Sequence, residues 1–327
     1  MSVRIKHQIA YAASILSLVL LEIWVTYKPF NALSAFHLEI AYTLVAQIVC
    51  MGAIPLSVLL FLKKDGARAN FEYMRYRKPK DVKVCLLASL GLMLLMTPFT
   101  MVFNALSTMI LKIIGYKKGL YVGTIYGGIG DFWIFVLVGA ALPAVFEEFT
   151  HRGVLLSGLE NKGSEYSAVV LSAVCFGLMH SNPSQFLYAV VGGLVFGAAV
   201  TKTGSMIPAM CAHFANNFVA TLLNYSTQKH NALGVLYEKL VGSDSVFAFA
   251  ALVGVLSASV FGVVYILQYL ARKTEKPISE RKLLGVLVMD AYSPDGKASL
   301  KENAVLIATM ISQAFFLAAL IVWGIYR

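Results

Sequence analysis

Apolar residues run through this chain in long stretches, at about 8–27, 38–62, 82–111, 132–157, 167–181, 185–201, 205–224, 245–271 and 304–326. Most approach the roughly 20 residues an α-helix needs to cross a hydrocarbon core. The pattern predicts eight or nine transmembrane helices. The count turns on 167–181 and 185–201, which are short and separated by Pro183. A proline has no N–H to give a helix, so either a tight turn or a broken helix is expected there. Two polar stretches stand out. Residues 63–81 are basic with interspersed aromatics, which suits an interfacial segment on an anionic leaflet as well as a solvated loop. Residues 272–303 mix both charge signs around a turn signal at Ser293-Pro294-Asp295-Gly296. No long internal repeat is evident. The expected architecture is an all-α, polytopic membrane bundle in three parts. Residues 1–81 form N-terminal transmembrane helices and a basic cytoplasmic loop, 82–271 a membrane core, and 272–327 a linker with a C-terminal transmembrane helix.

Composition agrees, with 58% hydrophobic and 13% charged residues, against about a quarter charged in soluble domains. The net charge of +10 does not point to nucleic acid, because the basic residues sit in loops and form no face interleaved with aromatics. Their distribution reports orientation instead. With the N-terminus inside, Arg4, Lys6, the eight from Lys63 to Lys83, Arg152, Lys162, Lys202 and the seven from Arg272 to Lys301 share the inner side, 20 in all. Lys28, Lys112, Lys117, Lys118, Lys229, Lys239 and Arg327, 7 in all, share the outer side. The positive-inside rule then predicts a cytoplasmic N-terminus and, with nine spans, an external C-terminus. Arg4, Lys6 and the later Ala32-Leu33-Ser34 imitate a secretory signal, but the apolar run between them is too long for one, so an uncleaved helix is expected. Cys50, Cys85, Cys175 and Cys211 lie in or beside apolar stretches without CxxC spacing and read as packing residues.

Polar residues inside such stretches are costly and mark function more often than packing. Glu147, His180, His213 and Asn217 form such a set. In LPAVFEEFTHRG, Glu147 and Glu148 are adjacent and point about 100° apart on a helix, while Glu148 and Arg152 are four apart and share a face. Arg152 can therefore hold Glu148 as an ion pair, leaving Glu147 aimed at another surface as a general-base candidate. In FGLMH, Phe176 and His180 are one turn apart, and in HFANN, His213 and Asn217 project from one face. At 1.5 Å per residue from the predicted cytoplasmic ends, Glu147 lies about 18 Å deep, His180 about 20 Å, His213 about 12 Å and Asn217 about 18 Å, so the four can meet. A carboxylate and an imidazole can take a proton from a shared water and aim the hydroxide at a carbonyl. A second imidazole and an amide can donate to the developing oxyanion. No GxSxG elbow, P-loop or dinucleotide fingerprint is present.

These residues resemble a family. EEFTHRG matches EExxxR, FGLMH matches FxxxH, and HFANN matches HxxxN of the CPBP intramembrane proteases, which include type II CAAX prenyl endopeptidases and bacteriocin-processing and Abi-type immunity proteins. TKTGSMIPAMCAH resembles the segment leading into the third motif. The resemblance covers about 140–220, about a quarter of the chain. It implies that Glu147 and His180 activate the water and that His213 and Asn217 form the oxyanion site, with Glu148, Arg152 and Phe176 in support. It also implies a helical bundle whose cavity opens to the cytosol, in a multi-pass protein of a prokaryotic cell membrane. Its substrate would be a peptide or prenylated protein cut near its C-terminus, with membrane lipid as the surroundings and no cofactor. His151, on the Glu147 face, and the span at 304–326 fall outside the family pattern.

Two other readings compete. Two histidines and a glutamate could bind zinc, and Glu148 with His151 has E-x-x-H spacing, but HExxH is absent and Asn217 suits an oxyanion better than a metal. A non-catalytic immunity or scaffold protein, or a transporter, would also keep polar residues at depth. The complete tetrad speaks against a scaffold, and the lack of an inverted repeat against a transporter. Oligomeric state leaves no sequence signal.

Overall fold

A computed structural model describes residues 2–27, 34–62, 74–75, 79, 81–117, 126–160, 165–241, 246–273 and 299–326. Each of the nine apolar stretches coincides with a helix, and the described residues contain no strand. In chain order, α1 is Val3–Tyr27. α2 runs on without a break through Ala35–Leu44, Val45–Ala53 and Ile54–Leu62. α3 is Val82–Ile113, and α4 is the continuous span Ile129–Glu160. Then follow α5 (Glu165–Met179), α6 (Phe186–Thr203), α7 (Ile207–Gln228), the short α8 (Ala232–Val241), α9 (Val246–Lys273) and α10 (Leu300–Tyr326). Among the described residues, α1, α2, α3, α4, α6, α9 and α10 contain stretches long and apolar enough to cross a membrane, and α5 is a shorter apolar helix. The chain is an integral, polytopic helical membrane protein. α8 lies in a connection where no helix was expected. The turn signal at 293–296, most of the basic stretch 63–81 and Ala32-Leu33 fall outside the described residues.

Local chemistry sets the helix ends. Asp81 Oδ1 accepts from the Val84 amide at 3.0 Å and Ser34 Oγ from the His37 amide at 3.3 Å, each satisfying an orphan donor of a first turn. Gly204 closes α6 in the left-handed region (φ 64°). Between α5 and α6 the chain makes a tight turn. Ser181 is left-handed (φ 49°), and Asn182 Oδ1 accepts from the amide and hydroxyl of Ser184, at 3.0 and 2.8 Å. Without a hydrophobic drive between helices in lipid, small residues let backbones approach. A Cβ on Gly193 of α6 would lie 2.8 Å from Ala173 Cα of α5.

Two helices carry π-helical turns next to a proline. Pro55 follows the π segment Val45–Ala53, and Pro143 follows the π segment Val136–Ala141. A proline cannot donate to the carbonyl four residues back and crowds it. Those carbonyls belong to Met51 and Gly139, and side chains reach them instead. Thr150 donates its hydroxyl to Met51, and Asn217 donates its amide to Gly139 at 3.4 Å. A third π segment, Phe149–Leu156, begins directly after Glu148.

The helix ends fall into two groups. At one end Arg4 reaches the Leu159 carbonyl and Asn303, Arg75 pairs with Glu160, and the Met206 amide donates to the Arg75 carbonyl. At the other, the Lys117 amide donates to the Gly324 carbonyl at 2.7 Å and Lys229 Nζ to the Tyr126 carbonyl at 2.8 Å. A cavity of about 590 Å³ opens at the second end. Its walls include Thr26 of α1, Thr43 of α2, Lys112 of α3, Tyr116, and Trp323 of α10. The outer lining of the cavity thus lies at the end of the bundle opposite Val3, Leu62, Val82 and Lys273.

Candidate active site

The first motif lies midway along α4, where an α-helical turn, Leu142–Glu148, sits between two π segments. Such insertions rotate the following residues relative to a regular helix and recur at functional sites. Glu147 is 7% exposed, while Glu148 and Arg152 are 0% exposed. Arg152 Nη1 donates to Glu148 Oε1 at 2.9 Å, Nη2 donates to the Gly193 carbonyl at 3.1 Å, and the guanidinium lies 4.5 Å from the Phe176 ring centroid. This is the pair expected from the i, i+4 spacing.

Glu148 does more than pair with Arg152. The same oxygen, Oε1, lies 2.9 Å from His213 Nδ1. A carboxylate that only accepts requires the hydrogen on Nδ1, so Glu148 orients the imidazole much as an acid orients a catalytic histidine. The other ring nitrogen, Nε2, lies 3.9 Å from Glu147 Oε2. That is too long for a direct hydrogen bond. A water about 2.8 Å from each atom would subtend an angle near 90° and bridge them.

His180 follows the last residue of α5, and its Nδ1 lies 2.7 Å from the Phe176 carbonyl. With the hydrogen on Nδ1, Nε2 is left as an acceptor. Glu147 and His180 line the same cavity. Phe176 joins the imidazoles. Its ring meets His180, His213 and His151 edge-on at centroid distances of 4.9, 5.7 and 5.1 Å. On its other face His213 stacks against Phe196 at 5.2 Å. Asn217, partly exposed, holds the Gly139 carbonyl and accepts from Asn216 Nδ2 at 3.3 Å.

The structure brings Glu147, Glu148, Arg152, Phe176, His180 and His213 together, with Glu147 and His180 on the cavity wall, while Asn217 is tied to Gly139, earlier on α4. His151 does not reach the Glu147 carboxylate. It is 0% exposed, with Nδ1 3.0 Å from the Glu147 carbonyl and Nε2 3.4 Å from the Tyr11 hydroxyl. Sequence reasoning missed Gln47, whose Nε2 donates to Glu147 Oε1 at 2.8 Å, and the cavity pair Glu22 and Tyr42, joined at 3.2 Å. The signal was there, since Gln47 and Glu22 are polar residues within apolar stretches. All three lie in helices outside 82–271, so the flanking helices help to build the site.

A helical membrane bundle that sets two carboxylates, an arginine and two histidines beside a cavity carries ionisable groups where they are costly and usually kept for function. Residues 129–219 match the family model of type II CAAX prenyl endopeptidases, Rce1-like. This is the family that the three motifs resemble, and the matched stretch carries all seven motif residues. It is a family of proteases. No curated protein and no solved structure matches the chain.

Proposed function

We propose that this protein is an intramembrane endopeptidase that hydrolyses a peptide bond with water activated by Glu147 and His180. The observation that carries this reading is the line of polar groups Arg152, Glu148, His213, Glu147, hydrogen-bonded as far as His213 and then spaced by 3.9 Å, which ends on the wall of a cavity that His180 shares. In the reaction a water in the cavity gives a proton to Glu147 as its oxygen attacks the scissile carbonyl carbon. His180, with Nε2 as acceptor, holds that water in line. The carbonyl oxygen becomes an oxyanion; an Asn217 N–H donates to it, and His213 does so when both ring nitrogens carry hydrogen, Nδ1–H held by Glu148 and Nε2–H turned to the oxyanion. One amide N–H of Asn217 is engaged by Gly139, so its second is the donor for this step. The C–N bond then breaks as Glu147 returns the proton to the leaving amine.

The family match alone supplies the expected substrate class, a CAAX-type protein or peptide cut near its C-terminus, with or without a prenyl group. Zinc fits the donor atoms less well. Glu148 Oε1 is shared by Arg152 and His213, and His151 is committed to a backbone carbonyl and Tyr11. Among the described residues no three His, Cys, Asp or Glu side chains converge in metal-binding geometry.

The test is cleavage of prenylated and unmodified CAAX peptides by purified protein, with products identified by mass spectrometry. Glu147→Ala is expected to insert and fold as the parent does and to lose cleavage. A Glu147→Ala protein that cleaves at the parental rate would defeat the assignment.

A further inference from the structure

We infer that this site takes its polypeptide substrate from the extracytoplasmic side of the membrane. The inference keeps the peptide hydrolysis proposed above, on which it rests, and adds the side from which the substrate enters.

Two independent observations meet here. The first is the place of the mouth. Counted from the helix ends near Val3, Val82 and Leu300, Thr26 and Trp323 lie about 35 Å along their helices and Lys112 about 45 Å. A hydrocarbon core is about 30 Å thick. The mouth therefore belongs to the membrane face opposite Val3. Glu147, about 20 Å from Glu160 on the same count, forms the inner part of the cavity.

In the other direction the way is closed. Val154, Leu155 and Leu156 are 0% exposed and Leu159 is 1% exposed, and they fill the helix turns between Glu147 and that first face together with Met206. A chain reaching Glu147 from that side would have to displace the packed core. A chain arriving at the other side meets an open cavity.

The second observation is charge. The closed face collects Arg4, Lys6, Lys83, Lys202, Arg272 and Lys301, and the connections on that side carry most of the chain's 27 Lys and Arg residues. The positive-inside rule makes the closed face cytoplasmic. The mouth is then extracytoplasmic. A substrate that fits is an extended peptide, or the outer end of a membrane-spanning segment, that lies in the cavity with its scissile bond beside Glu147. An extended chain spans about 3.3 Å per residue, so about five or six residues would bridge the roughly 15–20 Å from mouth to Glu147.

The experiment has two arms in intact cells expressing the full chain. Lys112→Cys at the mouth and Lys83→Cys at the closed face are each exposed to a membrane-impermeant maleimide, with label counted above that of the parent. Lys112→Cys should label in intact cells and Lys83→Cys only after permeabilisation; the reverse would overturn the inference. In the second arm, a mixture of charged, membrane-impermeant peptides is added to intact cells, and cleavage is compared with Glu147→Gln. Glu147-dependent cleavage by intact cells is expected. Cleavage that appears only in opened cells overturns the side and leaves the reaction standing. Absence of Glu147-dependent cleavage in both preparations removes the protease reading, while the labelling arm still decides which way the cavity faces.

Discussion

Replacing Arg152 by methionine removes a buried cation whose partners are all known. Arg152 donates to Glu148 at 2.9 Å and to the Gly193 carbonyl at 3.1 Å, both side chains of the ion pair are 0% exposed, and no lipid or water can compensate Glu148 once the guanidinium is gone. Breaking a buried pair from one side costs about 3–5 kcal/mol, a large share of the about 5–15 kcal/mol that holds a typical protein folded. At about 1.4 kcal/mol per tenfold, the folded-to-unfolded ratio should fall by about two to four powers of ten. The double variant Arg152→Met, Glu148→Leu removes both charges and should recover most of that loss, as apolar replacements of buried pairs do. It should not recover cleavage, because His213 Nδ1 has lost the acceptor that orients its ring. The assay is thermal and denaturant unfolding in one detergent, beside the peptide cleavage rate. A double variant no more stable than Arg152→Met would refute the uncompensated-charge argument, and one that cleaves at the parental rate would refute the orienting role of Glu148.

Gln47→Met keeps volume and deletes the 2.8 Å hydrogen bond to Glu147; a bond to a charged group is worth about 1.5–3 kcal/mol, so kcat should fall about ten- to a hundredfold with KM little changed, and a parental kcat would show that Gln47 does not position the carboxylate. Pro143→Ala returns an N–H to the Gly139 carbonyl and removes the cause of the π turn before Glu147; displacing that side chain by about 1 Å can cost about a hundredfold, so stability should hold while cleavage drops, and unchanged cleavage would mean the π turn does not aim Glu147. Asn217→Ala removes one oxyanion donor and should slow turnover about a hundred- to a thousandfold, with a change below about threefold marking it as a brace for Gly139 only.

The apolar pattern predicted where helices lie and the motif spacings predicted which side chains project together, because both are properties of one helix at a time. The pair Glu148 and Arg152 was legible for that reason. Neighbours were not. In lipid, helices associate through close packing and polar contacts and lack the drive that buries an apolar stripe from water, so the periodicity of 38–62 gives no sign that Gln47 meets Glu147. The same holds for α1 and α10, which read as flanking elements and supply Glu22, Thr26 and Trp323 to the cavity wall. The side on which the cavity opens was equally hidden, since it depends on which helices splay apart at which end.

The prolines show how a site at this depth can be held. Pro55 and Pro143 each leave a carbonyl without its usual amide, and a carbonyl without a donor inside a bilayer costs several kcal/mol. The donors that answer are Thr150 and Asn217, the first beside the turn that carries Glu147 and the second a candidate oxyanion residue. The hydrogen bond from Asn217 to Gly139 ties α7 to the π segment of α4 that precedes the turn carrying Glu147. In the proposed mechanism packing and chemistry therefore share the same side chains. It follows that polar residues at membrane depth in this protein cannot be divided into braces and catalysts by burial, and that the division has to come from variants that change the rate and leave the fold in place.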